Sequence, residues 1–90
     1  MTIVAVKIKV MPESPETDLK GVESEVSGIL QRDGVKNPIF EIQPIAFGLK
    51  ALIVMFGWPE EKELEELEGK LNSIEGVGSI EVLDIRRAIG

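Results

Sequence analysis

The sequence contains neither cysteine nor histidine, and both absences restrict what the protein can do. Without cysteine, the chain has no disulfide framework and no thiolate metal site. Without histidine, it lacks the usual general base, the usual zinc ligand and the side chain that most often titrates near neutral pH. An enzyme built on this chain would have to work with carboxylates, lysines or arginines alone.

Aromatic residues are also scarce, at 4% of the 90 residues, although 43% of the chain is hydrophobic. That hydrophobic fraction argues against disorder, so valine, isoleucine and leucine must build the core. The length suits one compact unit, and we expect residues 1–90 to form a single domain.

Positive charge is in deficit, because the formal net charge is −6. A domain this acidic is not expected to bind nucleic acid directly. The sequence contains no apolar run long enough to span a membrane. Residues 1–7 lack the basic region and cleavage site of a signal peptide. We therefore expect a soluble, cytoplasmic protein.

The first third of the chain predicts a strand followed by a helix. Between Thr2 and Val10 apolar residues alternate with others, as in a half-buried strand. Thr17 or Asp18 would cap a helix that runs to about Arg32, because short oxygen side chains accept hydrogen bonds from free helical N–H groups. The inward residues of these two elements would be Val4, Val6, Ile8 and Val10, then Leu19, Val22, Val26, Ile29 and Leu30.

The middle of the chain predicts a hairpin. Residues 35–45 form an extended segment whose prolines place it at a sheet edge, with Phe40 and Ile42 inward. Residues 49–56 are an apolar run typical of a central strand. Between them Phe47-Gly48 falls at the turn, where glycine permits positive φ. Phe47 could cap the core or contact a partner; the residues alone favour the core.

The last third predicts a helix and a final strand. We expect Gly57-Trp58-Pro59 to end the third strand. Pro59 would then begin the next helix, because proline is well placed in the first turn of a helix. The second helix would cover residues 59–74 and bury Leu64, Leu67, Leu71 and Ile74. Residues 80–85 would form the fourth strand, followed by Arg86-Arg87. These two arginines could aid solubility or enter an anion-binding pocket of a partner.

The predicted order β-α-β-β-α-β indicates an α+β fold, the ferredoxin-like two-layer sandwich. It has a four-stranded antiparallel sheet with both helices on one face. Strands one and three would be central, and the uncovered face would carry Lys7, Lys9 and part of the third strand. No P-loop, dinucleotide-binding loop or activated nucleophile is present, so we expect neither an enzyme nor a cofactor or metal site.

The segment Ile42-Gln43-Pro44-Ile45-Ala46-Phe47-Gly48-Leu49-Lys50-Ala51-Leu52 closely resembles the I-x-P-I-(A/G)-F-G-(I/L)-K-x-L signature of the translation elongation factor 1-beta family. Two weaker matches follow the family's order. Residues 9–12 and 16–19 resemble its first strand and helix start, and residues 77–82 resemble its last strand. The resemblance spans essentially the whole chain and is closest to the archaeal form, which is one bare domain.

The resemblance implies a guanine-nucleotide exchange factor that promotes GDP release and GTP reloading on the GTPase elongation factor 1-alpha. In the family, the phenylalanine of the turn contacts the GTPase, which maps onto Phe47, with Gly48 shaping the turn and Lys50 facing the partner. A C-terminal lysine of the eukaryotic form, which inserts near Mg²⁺ and phosphate, falls on Arg87, or on Arg86 if the register shifts by one. Arginine is planar and bulkier than lysine, so the resemblance does not decide whether an arginine at this position displaces Mg²⁺ as the lysine does.

An alternative of another class is a ferredoxin-like regulatory module that binds a small metabolite at a homodimer interface. It predicts dimers through the open sheet face or the strand edges, with a ligand cavity between the copies. A purely structural interaction domain is a third possibility. The Phe47-Gly48 motif favours exchange over both, because neither rival requires an exposed aromatic residue at that turn.

Overall fold

The computed structural model describes residues 2–87. Its strands are β1 (Ile3–Pro12), β2 (Ile39–Pro44), β3 (Lys50–Pro59) and β4 (Val77–Arg87), and its helices are α1 (Leu19–Arg32) and α2 (Glu65–Asn72). All strand pairs are antiparallel, and the sheet order is β2-β3-β1-β4. The predicted ferredoxin-like α+β fold is therefore confirmed, with β1 and β3 central.

One hydrophobic core lies between the sheet and the helices. Alternation along β1 and β3 places every second side chain on the helix-covered face. The buried core residues of the two strands are Val4, Val6, Ile8, Val10, Leu52, Val54, Phe56 and Trp58. The helices contribute Val22, Val26 and Leu30 from α1 and Leu67 and Leu71 from α2. Asp18 occupies the N-cap position of α1, although its side chain makes no capping hydrogen bond.

The third strand extends further than the sequence predicts. β3 continues through Trp58 to Pro59, and Trp58 lies opposite Val4 with only 2% of its surface exposed. The ring of Phe56 packs edge-on against that of Trp58, with centroids 5.9 Å apart. The prediction that Gly57-Trp58-Pro59 stops the strand is wrong, because the large indole gains more from the core than from a turn.

The second helix is correspondingly shorter than predicted. α2 begins at Glu65, whereas the prediction began it at Pro59. The intervening residues 60–63 turn around Trp58, whose Nε1 donates to the carbonyl oxygen of Lys62 at 3.0 Å. The Lys62 ammonium also lies 4.7 Å from the centre of the indole ring. These contacts hold residues 60–63 in a turn, so the helix begins only at Glu65.

Two predictions on the edge strands need correction. Phe40 packs against the core as expected, but Ile42 is 48% exposed. Ile42 lies near the end of the edge strand β2, where the helix layer does not cover it. β4 runs from Val77 to Arg87 and not only over residues 80–85, so the two arginines lie within the strand, paired with the start of β1.

The other face of the sheet has no helix layer. Lys7 and Lys9 lie on it, as predicted. Ala51 and Ile53 also lie on it, yet they are only 0% and 3% exposed. Neither helix within residues 2–87 is long and apolar enough to cross a membrane.

Candidate functional site

The turn between β2 and β3 presents a single aromatic side chain. It is a short 3-10 turn over Ala46–Gly48, closed by a hydrogen bond from the Ile45 amide to the Leu49 carbonyl at 2.7 Å. Inside it Phe47 has φ 62° and ψ 32°, and Gly48 has φ 76°. Gly48 takes this left-handed conformation without cost, as the sequence predicts.

Phe47 does not take that conformation freely. The left-handed region costs a side-chain-bearing residue about 1–2 kcal/mol. The ring is also 94% exposed, so core packing does not repay the strain. The interpretation of Phe47 as a cap on the core is therefore wrong. A strained, exposed aromatic residue on a tight turn is typical of a contact point for a partner.

Lys50 stands beside this turn at the start of β3. It lies on the helix-side face of the sheet, two residues before the buried Leu52. Together with Gly48 and Ile42 it borders a groove of about 490 Å³, whose other wall is the loop before α1. Lys50 thus presents its ammonium at the same end of the molecule as Phe47.

The two arginines lie on opposite faces of β4. Arg86 is opposite Ala5 on the open face, and its Nε lies 2.7 Å from a carboxylate oxygen of Asp84. Arg87 is opposite Val4 on the helix side, and its guanidinium donates to Glu60 at 2.6 Å. The signal for Asp84 was present in the sequence, because residues two apart share a face of a strand. Nothing local pointed to Glu60, because the pair joins distant segments.

The structure does not bring the predicted site residues into one pocket. Phe47, Gly48 and Lys50 lie at the end of the sheet where β3 begins, and the arginines lie at the end where β3 finishes. Nine strand residues at about 3.3 Å each separate these ends by roughly 30 Å. The longest dimension of the molecule is 41 Å. The candidate site is therefore two contact regions joined by the sheet.

Residues 2–87 contain no group of three or more acidic side chains, histidines or cysteines that could hold a metal ion. Both arginines are already paired with carboxylates. The arrangement instead suits binding, with an exposed ring at one end and cations at the other.

Comparison with known proteins agrees with this description. Residues 5–88 match the family described as the EF-1 guanine nucleotide exchange domain. A protein of Metallosphaera sedula called elongation factor 1-beta is 47% identical over 97% of both chains. Elongation factor 1-beta of Methanothermobacter thermautotrophicus is 44% identical over 93% of this chain and 94% of its own.

Solved structures show the fold alone. The ACT domain of a GTP pyrophosphokinase from Chlorobium tepidum superimposes with a TM-score of 0.64 over 93% of this chain and 90% of its own, at 19% identity. The BLUF protein BlrP1 gives a TM-score of 0.60 at 17% identity and covers the whole of this chain, which spans 57% of that protein. Because the family match covers nearly all of the sequence and the archaeal relatives match over nearly their full length, this chain belongs to the EF-1 guanine nucleotide exchange domain family.

Proposed function

We propose that this protein is a guanine-nucleotide exchange factor that promotes GDP release and GTP reloading on the GTPase elongation factor 1-alpha during polypeptide elongation. Membership of the exchange-domain family supports the reaction. The observation that best supports the site is the state of Phe47, whose aromatic ring is 94% exposed on a strained turn. A side chain held in this way costs stability and gains nothing within the described chain.

Exchange requires no bond-making chemistry from this protein. An exchange factor that binds the nucleotide-free GTPase more tightly than the GDP-bound form must, by linkage, weaken GDP by the same factor. It must loosen the contacts that hold the diphosphate, namely the amides and lysine of the GTPase's phosphate loop and its Mg²⁺. The protein therefore acts as a binding partner, not an enzyme, and needs no cofactor or metal of its own.

The two ends of the sheet have separate roles in this proposal. Phe47, supported by Gly48, anchors the GTPase at the turn, and Lys50 contacts the same partner around the end of the sheet, from the helix-side face. Arg86 or Arg87, at the other end, brings a cation towards the phosphate and Mg²⁺ site. A guanidinium is planar and binds anionic oxygens through a fork of donors, so it competes for phosphate contacts more readily than it replaces a metal ion.

The setting follows from the same proposal. The partner is the elongation GTPase, and we propose neither direct nucleic-acid binding nor membrane binding. The net charge of −6 supports the first statement, because an acidic chain is repelled by a polyanion. A translation factor of this kind works in the cytoplasm.

The direct experiment measures release of a fluorescent GDP analogue from a purified archaeal elongation factor 1-alpha, with and without this protein. We expect release to accelerate when the protein is present in substoichiometric amounts, because each molecule acts repeatedly. Unchanged release, with the protein folded and the GTPase active, would leave the fold intact and disprove the function.

Phe47→Ala tests the anchor within the same assay. Truncating a central aromatic contact typically costs about 2 kcal/mol or more, so we expect exchange efficiency to fall roughly 30-fold. The folded state should be unaffected, since the ring touches little of the protein. Ile85→Ala is the control, because it also removes an exposed apolar side chain. Equal effects of the two variants would remove Phe47 from the site.

A further inference from the structure

The open face of the sheet contains a hollow at the arginine end. Its floor is formed by Ala5 and Gly57, which lie directly opposite each other on the two central strands. These are the smallest side chains available, so the sheet surface dips between longer neighbours. The hollow has a volume of about 570 Å³, and its rim includes Ile3, Ile39, Met55 and Arg86.

The hollow differs from the rest of the same face. Towards the Phe47 end Ala51 and Ile53 are almost fully buried by their neighbours, without any second layer. At the hollow, by contrast, Ile3 remains 40% and Ile39 58% exposed. The chain thus covers its own apolar surface on one half of the face and leaves it open on the other. A concave apolar surface of this kind is typical of a seat for a partner's side chain.

The placement of the hollow identifies its occupant. If the proposed GTPase contacts both Phe47 and the arginine end, it must extend along the sheet for roughly 30 Å. The open face runs uninterrupted between these ends, whereas the helices occupy the other face. A partner lying along the open face covers the hollow.

Charge favours the same approach. The open face carries three cations and three carboxylates, so it is balanced; these are Lys7, Lys9 and Arg86, with Glu41, Glu81 and Asp84. On the helix side Arg87 is paired with Glu60, and the segment that holds Glu60 also carries Glu61 and Glu63 against one cation, Lys62. A partner that holds a diphosphate is repelled less by the balanced face.

We infer that the hollow around Ala5 and Gly57 seats an apolar side chain of the elongation GTPase, and that Arg86 rather than Arg87 is the cation this partner meets. The inference rests on the proposed function. Arg86 stands at the edge of the hollow, opposite Ala5, so the seated segment and the cation belong to one contact. The partner surface that fits this contact has an apolar side chain, which enters the hollow, beside an anionic group, which meets Arg86.

A truncation pair tests the rim without disturbing the core. Ile39→Ala removes an isoleucine that is 58% exposed at the hollow, and Ile85→Ala removes one that is 53% exposed on the helix-side face. Their similar exposure makes their effects on stability comparable. We expect Ile39→Ala to raise the protein concentration that gives half-maximal GDP release about fivefold, and Ile85→Ala to change it less than twofold. Equal changes would overturn the inference.

A filling pair tests the floor. Ala5→Ile adds a β-branched side chain inside the hollow. Ser24→Ile adds the same side chain to the exposed surface of α1, in the helix layer on the other side of the sheet. Circular dichroism melts establish that both variants fold. We expect Ala5→Ile to weaken exchange at least about tenfold and Ser24→Ile less than threefold. If wild-type protein accelerates release but Ala5→Ile does so equally, the hollow is unused; if wild-type protein does not accelerate release, the proposed function itself fails.

Discussion

Arg86 and Arg87 are adjacent in sequence, yet their side chains leave opposite faces of the sheet and bind different carboxylates. Arg86 lies opposite Ala5 and is paired with Asp84, whereas Arg87 lies opposite Val4 and is paired with Glu60. Because both are in a strand, a partner that approaches one face of the sheet meets only one of them. The question of which arginine meets the partner therefore becomes the question of which face of the sheet the partner contacts, and this can be tested.

Single alanine substitutions separate these alternatives. We expect Arg86→Ala to reduce exchange efficiency about tenfold, a loss of about 1.4 kcal/mol, and Arg87→Ala to reduce it less than threefold. Both variants should keep their stability within about 0.5 kcal/mol, because exposed ion pairs contribute little. The measurement is GDP release together with urea unfolding.

Arg32→Ala supplies the control for loss of a positive charge, since Arg32 ends α1 on the helix side. A larger loss for Arg87→Ala than for Arg86→Ala would mean that the GTPase approaches from the helix side. Unchanged exchange in both variants would remove the arginines from the mechanism.

The strained turn makes a prediction about stability. Phe47→Gly should stabilise the protein by up to about 1.5 kcal/mol. Glycine relieves about 1–2 kcal/mol of left-handed strain, while the greater freedom of the unfolded chain offsets about 0.5–1 kcal/mol of this. Exchange should be lost at the same time. Urea unfolding followed by Trp58 fluorescence measures the first effect, since this is the one tryptophan and it is buried.

Asn37 provides the comparison for this experiment. It also has positive φ, 53°, but asparagine tolerates this region better than phenylalanine does. Asn37→Gly should therefore stabilise the protein less than Phe47→Gly. A loss above about 1 kcal/mol in Phe47→Gly would show that the ring packs against the protein more than its exposure indicates.

A charge cluster joins the ends of the two helical segments. The Asp33 carboxylate, 15% exposed, lies 3.3 Å from the Lys70 ammonium and 3.8 Å from that of Lys62. We expect Asp33→Asn to cost about 1 kcal/mol of unfolding free energy at low salt, and less at 1 M salt, where screening acts within about 3 Å. Urea unfolding at both salt concentrations measures the difference.

The exposed Glu61 gives the matched control, because Glu61→Gln changes the net charge equally. Its effect should be small at both salt concentrations. If Asp33→Asn and Glu61→Gln respond alike to salt, the effect comes from net charge and not from the cluster.

Local pattern was sufficient for most of the fold. Alternation in β1 predicts its buried face because a strand repeats every two residues. The spacing of Val22, Val26 and Leu30 predicts the inward face of α1, because residues four apart lie on the same side of a helix with 3.6 residues per turn. The local pattern gave a wrong prediction at Trp58-Pro59, where proline indicated the start of a helix but the strand continues. The indole belongs to the core, and a single sequence does not show which of two distant surfaces a large side chain will join.

The order of the elements, most of their inward faces and the Phe47-Gly48 turn are readable from the chain alone, because each depends on residues close together in sequence. The features that required the folded molecule depend on the register between distant strands. Pairing of β1 with β3 sets Ala5 beside Gly57 and creates the hollow. Pairing of β1 with β4 puts Arg86 on the open face opposite Ala5 and Arg87 on the helix side opposite Val4, both roughly 30 Å from Phe47. Backbone hydrogen bonds between strands fix these distances, and they form only when the whole sheet assembles.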